Sequence, residues 1–193
     1  MQDVDFGGDA PQRISLADSS APINPEQAAE ALGALLAARH ESATVPGSSL
    51  RELTDALSRR AEVAPDKVIN TGPYLDRSVR SLAALAVPIA HELDADLNDD
   101  EHGAEVSAAL TLAGVELDRS GTMHLVGPTL RGDRHLDLAG AAVGLAVRFG
   151  PGVVAPFLAS YGMDNVDLRR LDLAQMLLTV ADHLDVDFAS VAP

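Results

Sequence analysis

Apolar residues return every three or four positions along residues 76–93, at Val79, Leu82, Ala86, Ile89 and Leu93. That spacing places them on one face of an α-helix; a half-buried strand would alternate instead. Helical spacing recurs in residues 25–40, through Ala28, Leu32, Leu35 and Leu36, and in 49–61, through Leu50, Leu53 and Leu57. Residues 135–149, 151–161 and 167–184 complete the set of predicted helices. Asn24-Pro25-Glu26 is a helix start: a capping side chain, a proline at the first helical position and an acid in the first turn. Pro88 falls inside the pattern of 76–93 and predicts a kink or break there. The core behind these stripes has few building blocks. Hydrophobic residues make up 47% of the chain, aromatics only 3%, and Trp is absent. Ala, Leu and Val must fill it, which favours packed helices over a sandwich.

Between the helices, residues 112–117 and 123–126 are short enough for strands, and Asp118-Arg119-Ser120-Gly121 between them is a turn sequence. The fold class is therefore mainly α with one small β-hairpin. Residues 1–24 are rich in Gly, Asp, Ser and Pro and read as a flexible tail, with a short extended piece at 13–16. Residues 25–193 then form a single helical domain. Residues 82–97 and 173–188 share six identities without gaps, but their flanks differ; they are two amphipathic helices with similar ends, not a repeat.

The charge balance narrows the classes of partner. The formal net charge is −15, which repels nucleic acid and anionic lipid and suits a basic protein or a cationic small molecule or peptide. No apolar run is long enough to span a bilayer, and the N-terminus lacks a signal-peptide core, so a cytoplasmic location is expected. With no cysteine, disulfides and thiolate metal sites are excluded.

Local motifs carry little chemistry. Residues 94–105 place acids or Asn at positions 1, 3, 5, 7 and 12 of a calcium-type loop. Asp99 stands where the sharp turn needs Gly, and Glu101 where an apolar anchor belongs, so helix capping by Asn98 explains the stretch better. His102, Asp99 and Glu105 lack a second histidine at ligand spacing. Asp5-Phe6-Gly7 spells a kinase metal-binding triplet without its surroundings. Residues 59–70 outline a helix-turn-helix with Pro65 in the turn and one basic residue in the recognition segment. No metal or cofactor is expected.

A wider pattern is more telling. Residues 115–140, VELDRSGTMHLVGPTLRGDRHLDLAG, run as strand, Asp-x-x-Gly turn, strand and then Gly-Asp-x-x-x-Asp-Leu-Ala, at Gly132-Asp133 and Asp137-Leu138-Ala139. This resembles the C-terminal lobe of the aminoglycoside phosphotransferase and choline kinase-like family. Residues 28–40 are similar to the first helix after that family's interlobe hinge, 13–24 to the hinge, 50–64 to the next helix and 157–162 to the end of the penultimate one. The resemblance extends over about four-fifths of the chain and is carried chiefly by 106–162.

It also implies what has been lost. Aligned without gaps through Asp118, the family's His-Gly-Asp falls on Ser107-Ala108-Ala109, and its metal-holding Asn on Gly114. The second metal-binding Asp, expected after Leu125-Val126, is Gly127. An alternative placement on His102-Gly103 puts Ala104 at the Asp position and needs an insertion before Asp118. Either way the base is absent, and with it the positioning and charge neutralisation that phosphoryl transfer needs. Only 24 residues precede the first helix, too few for the family's N-terminal sheet. Its glycine-rich loop is missing, and Lys67, the only lysine, lies within the stretch that resembles the helical lobe.

The resemblance thus implies a pseudokinase-like lobe that binds as an accessory subunit. A protein partner or self-association would cover a face including Ala108, Ala109, Leu110, Leu112 and Val126. The acids Asp94, Asp96, Asp99, Asp100 and Glu101 would line a ligand or partner surface. Asp133 and Asp137 are expected to be structural, capping the following helix and bonding loop backbone. An accessory enzyme with new chemistry in the old cleft and an acidic helical decoy are the rival classes. The Ala- and Arg-rich, Lys-poor usage suits a bacterial natural-product or peptide-modification pathway.

Overall fold

The computed structural model describes residues 13–18, 23–41, 49–95, 103–107, 111–186 and 188–190. The first strand, β1 (Ile14–Ser15), is followed by α1 (Pro25–Glu41), α2 (Leu50–Val63) and α3 (Val79–Ala95). Four short strands come next: β2 (Gly103–Ser107), β3 (Val115–Leu117), β4 (Met123–Leu125) and β5 (Thr129–Asp133). The chain ends in α4 (His135–Phe149), α5 (Val154–Tyr161) and α6 (Leu168–His183). Short 3₁₀ turns at Leu112–Gly114, Pro151–Val153, Met163–Asn165 and Phe188–Ser190 tighten the connections.

The helix starts follow from side-chain caps. Asn24 Oδ1 accepts the backbone N–H of Glu26 and of Gln27, at 3.0 and 3.2 Å. Ser49 and Glu52 form a reciprocal capping box at α2, and Asp167 accepts the N–H groups of Arg169 and Arg170 at α6. The third helix begins three residues later than its apolar stripe predicts. Asp76 has a positive φ of 66°, and residues 67–69 pair with 76–79 through Asp76 N to Ile69 O and Val79 N to Lys67 O, both 2.9 Å. Those bonds hold 76–78 out of the helix. The expected break at Pro88 does not occur, and α3 is continuous through it. Pro88 and Ala84 both lie on the exposed face, where water can satisfy the Ala84 carbonyl that loses its N–H donor.

The strands require a correction. A hairpin was expected alone, and it is present, with Glu116 opposite His124. It belongs to a three-stranded sheet, ordered β1-β3-β4, and a second antiparallel sheet pairs β2 with β5, from Gly103↔Asp133 to Ser107↔Thr129. The second pair joins segments more than twenty residues apart, so no local turn announces it. Within β2, Ala104 and Val106 are buried and Glu105 between them is exposed, the period of a strand with one covered face.

Two apolar clusters share α4. Leu136 and Ala139 face the cluster of α2, α3 and α6, which holds Leu53, Leu57, Leu82 and Leu173. Leu138, Ala141 and Leu145 face the cluster of α1 and α5, with Leu32, Leu36 and Phe157. The first half of α4 is therefore buried all round, including its polar residues His135 and Asp137. No described helix is long and apolar enough to cross a membrane.

Candidate functional site

The polar centre of the protein is built on the two aspartates that flank the start of α4. Asp133 ends β5, and Asp137 lies in the first turn of α4. Burial alone would push the Asp133 carboxyl up. The hydrogen bonds from the His135 side chain and backbone and the charge of Arg170 outweigh it and hold the group down at about 2. Arg170 donates to Asp133 Oδ2 through Nε and Nη2, at 2.9 and 2.8 Å. The other oxygen accepts the His135 backbone N–H at 2.8 Å and His135 Nδ1 at 2.7 Å. The Asp167 backbone N–H donates to His135 Nε2 at 3.0 Å. A backbone amide can only donate, so His135 is neutral with its proton on Nδ1.

Asp137 is fully buried. Its Oδ1 accepts the Ser107 backbone N–H at 2.8 Å, and its Oδ2 lies 3.2 Å from His40 Nε2. On the other side, His40 Nδ1 lies 3.0 Å from the Tyr161 hydroxyl. An ionised Asp137 can only accept, which places the imidazole proton on Nε2 and lets Tyr161 donate to Nδ1. Burial pushes the Tyr161 hydroxyl up from its ordinary value, against the lowering effect of Arg134. Four segments far apart in sequence, the ends of α1, β2 and α5 and the first turn of α4, thus meet on one carboxylate.

Around this centre the positions singled out in the sequence fall as follows. Gly114 closes the 3₁₀ turn before β3, and its carbonyl accepts Val126 N at 2.9 Å. A Cβ there would approach Val126 O to 3.3 Å, so the site has little room for a longer side chain in this conformation. Gly127 has φ of 110°, a conformation in which an aspartate would be strained. Asp94 is tied to Arg51 by a 2.8 Å ion pair. Lys67 donates to the His183 carbonyl at the end of α6 and pairs with Asp185. Leu112, expected on a partner surface, is instead buried against the α1–α5 cluster beneath Gly144; the 3₁₀ turn rolls it inward. Val126 is half-buried. Asp96, Asp99, Asp100, Glu101, Ala108, Ala109 and Leu110 lie outside the described residues. Among the described residues no cluster of three acids or histidines is arranged to hold a metal ion.

The fold as a whole has solved counterparts. An aminoglycoside-3'-phosphotransferase of type VIII superposes with a TM-score of 0.57 at 23% identity, over 85% of this chain and 64% of that one. A spectinomycin phosphotransferase, solved with ADP and spectinomycin, superposes with a TM-score of 0.51 at 15% identity, over 86% and 55%. The fold is aminoglycoside phosphotransferase-like. The chain spans less than two thirds of the length of either structure. No family model and no curated protein matches the sequence.

Sequence reasoning singled out neither His40 nor His135, because a lone histidine in a helical stretch carries no signal of what it meets. A second feature also escaped it. A cleft of about 490 Å³ opens between α4 and α6, bounded by Thr71, Gly72 and Pro73 of the α2–α3 connection and by Thr111. Its walls come from five separate segments, and no single stretch of sequence marks them.

Proposed function

We propose that this helical chain, similar to the C-terminal lobe of the phosphotransferase fold, binds a partner or ligand instead of transferring phosphate. The observation that carries this reading is the internal use of its buried carboxylates. Both oxygens of Asp133 and both of Asp137 are taken up by His135, Arg170, Ser107 and His40. Gly114 and Gly127, where the resemblance puts metal-holding groups, offer no side-chain oxygen, and the sequence puts Ala109 at the base position. Phosphoryl transfer relies on positioning and on metal neutralisation of phosphate charge, and these substitutions remove the groups that would supply both. The role left is that of a binding or accessory subunit in the cytoplasm. The net charge of −15 favours a basic or cationic partner over nucleic acid.

An enzyme with new chemistry would have to draw on Tyr161, His40 and Asp137, the one hydroxyl–imidazole–carboxylate series among the described residues. Its hydroxyl is buried and its acidity suppressed, which argues against a nucleophile open to substrate. Calorimetry with ATP or GTP and magnesium tests the binding reading, paired with a transfer assay using kanamycin and spectinomycin as acceptors. Neither nucleotide binding nor transfer is expected. A dissociation constant of micromolar order together with phosphorylated acceptor would overturn the reading.

A further inference from the structure

We propose that the cleft between α4 and α6 is a binding site for a compact, uncharged, largely apolar molecule that carries hydrogen-bonding groups. Its volume of about 490 Å³ is that of a small-molecule site and too small and concave for a globular partner. The α4 wall presents Gly140, Val143, Gly144 and Val147 at spacings of three and four, one face of the helix. The two glycines keep that wall low. The two valines project from it, and Val147 is 83% exposed, an apolar side chain that the protein itself does not cover. Opposite stand Leu178 and Ala181 of α6, with Val186 and Phe188 beyond it.

The polar groups at the cleft divide into two sets. Those of α6 are partly spent inside the helix: the Thr179 hydroxyl donates to Gln175 O at 2.9 Å, and His183 Nδ1 lies 2.9 Å from Thr179 O. The Gln175 amide and the hydroxyls of Thr71 and Thr111 are lining groups that bond to no described side chain or backbone. They can orient a ligand through neutral hydrogen bonds. Asp182 is the one carboxylate among the described lining residues, and with its side chain 85% exposed it belongs to the rim. A polycationic aminosugar needs several carboxylates to replace the hydration of its ammonium groups, and one solvated acid does not supply them. Walls of this kind select an apolar body instead.

This inference goes beyond the loss of phosphate transfer and holds whether or not transfer occurs. The probe is N-phenyl-1-naphthylamine, a neutral apolar molecule with one N–H donor, titrated by fluorescence into the full chain. Saturable binding of one probe per chain is expected. Val143→Asp and Val147→Asp should each weaken it by about tenfold or more, because they put a charge on the apolar wall. Leu168→Asp, at an exposed apolar position at the start of α6 away from the cleft, should leave it unchanged. If Val143→Asp fails to fold, Val147→Asp decides alone, since its side chain lies in solvent. Kanamycin should not displace the probe. Non-saturable binding, affinity unaffected by Val147→Asp, or displacement by kanamycin would each overturn the proposal. Phosphate transfer to any acceptor would sink the non-catalytic reading and leave the cleft assignment standing.

Discussion

His40, in the last turn of α1, and Asp137, in the first turn of α4, meet at 3.2 Å inside the protein, 97 positions apart in sequence. With Tyr161 and the backbone of Ser107 they tie β2 to α1, α4 and α5. A buried carboxylate keeps its charge only while its donors are in place. Removing one partner should therefore cost more than the net worth of the bond.

His40→Ala leaves one oxygen of Asp137 without its partner and removes the acceptor of the Tyr161 hydroxyl, which keeps only its bond from Arg134. A loss of about 3 kcal/mol of unfolding free energy is expected in urea titrations. Tyr161→Phe removes only a neutral hydroxyl and should cost about 1 kcal/mol. Equal losses for the two variants would show that the His40–Asp137 contact is not the stronger link.

Acid should weaken the second carboxylate centre. Asp133 is held at about 2 in the folded protein, against an ordinary 3.8. A lowered folded value means that its contribution is complete above about pH 4 and is lost as pH falls toward 2. The shift corresponds to about 2 kcal/mol. Unfolding free energies of the wild type and Asp133→Asn, measured from pH 6 to 2, should converge by about that amount between pH 4 and 2. A constant gap across this window would contradict the linkage.

The helices were legible because each is long and its apolar period is unambiguous; α4 is read to the residue, and α1, α2 and α6 to within one or two at each end. The hairpin was legible because its turn lies between its strands. The β2–β5 pair was not, since its two halves are short and joined by a long connection. At the polar centre, Asp133 and Asp137 stood out through a pattern of Gly, Asp and Leu-Ala. Their partners His40 and Arg170 come from helices whose own sequences give no reason to face them. Leu112 was misplaced for a related reason. As the first residue of a predicted strand, 112–117, it was free to face a partner; the 3₁₀ turn at Leu112–Gly114 takes its place and buries it.

The Leu112 burial changes what an acidic substitution there reports. Leu112→Asp should unfold the domain, because it places a carboxylate in the apolar α1–α5 cluster. A cost of about 4 kcal/mol or more is expected. Loss of the cooperative thermal transition is the result to look for by circular dichroism. A folded Leu112→Asp protein would mean that this residue reaches solvent.

The contact of α1 with α5 rests on a missing side chain. A Cβ at Gly33 of α1 would collide with Phe157 O and lie 3.0 Å from Tyr161 N, both backbone atoms of α5. Backbone cannot rotate away as a side-chain end can, so the helices must separate. In an unconstrained helix, Gly→Ala gains about 1 kcal/mol. Here overpacking costs more than that gain, and Gly33→Ala should destabilise the protein by about 2 kcal/mol. It should also loosen the His40–Tyr161 bond, which spans the same two helices. Gly152→Ala is the control, because a Cβ there meets nothing within 4 Å, and its stability should be unchanged or slightly raised. Chemical denaturation of the two variants side by side makes the comparison. If both are neutral, the close approach of α1 and α5 is not what holds this half of the core together.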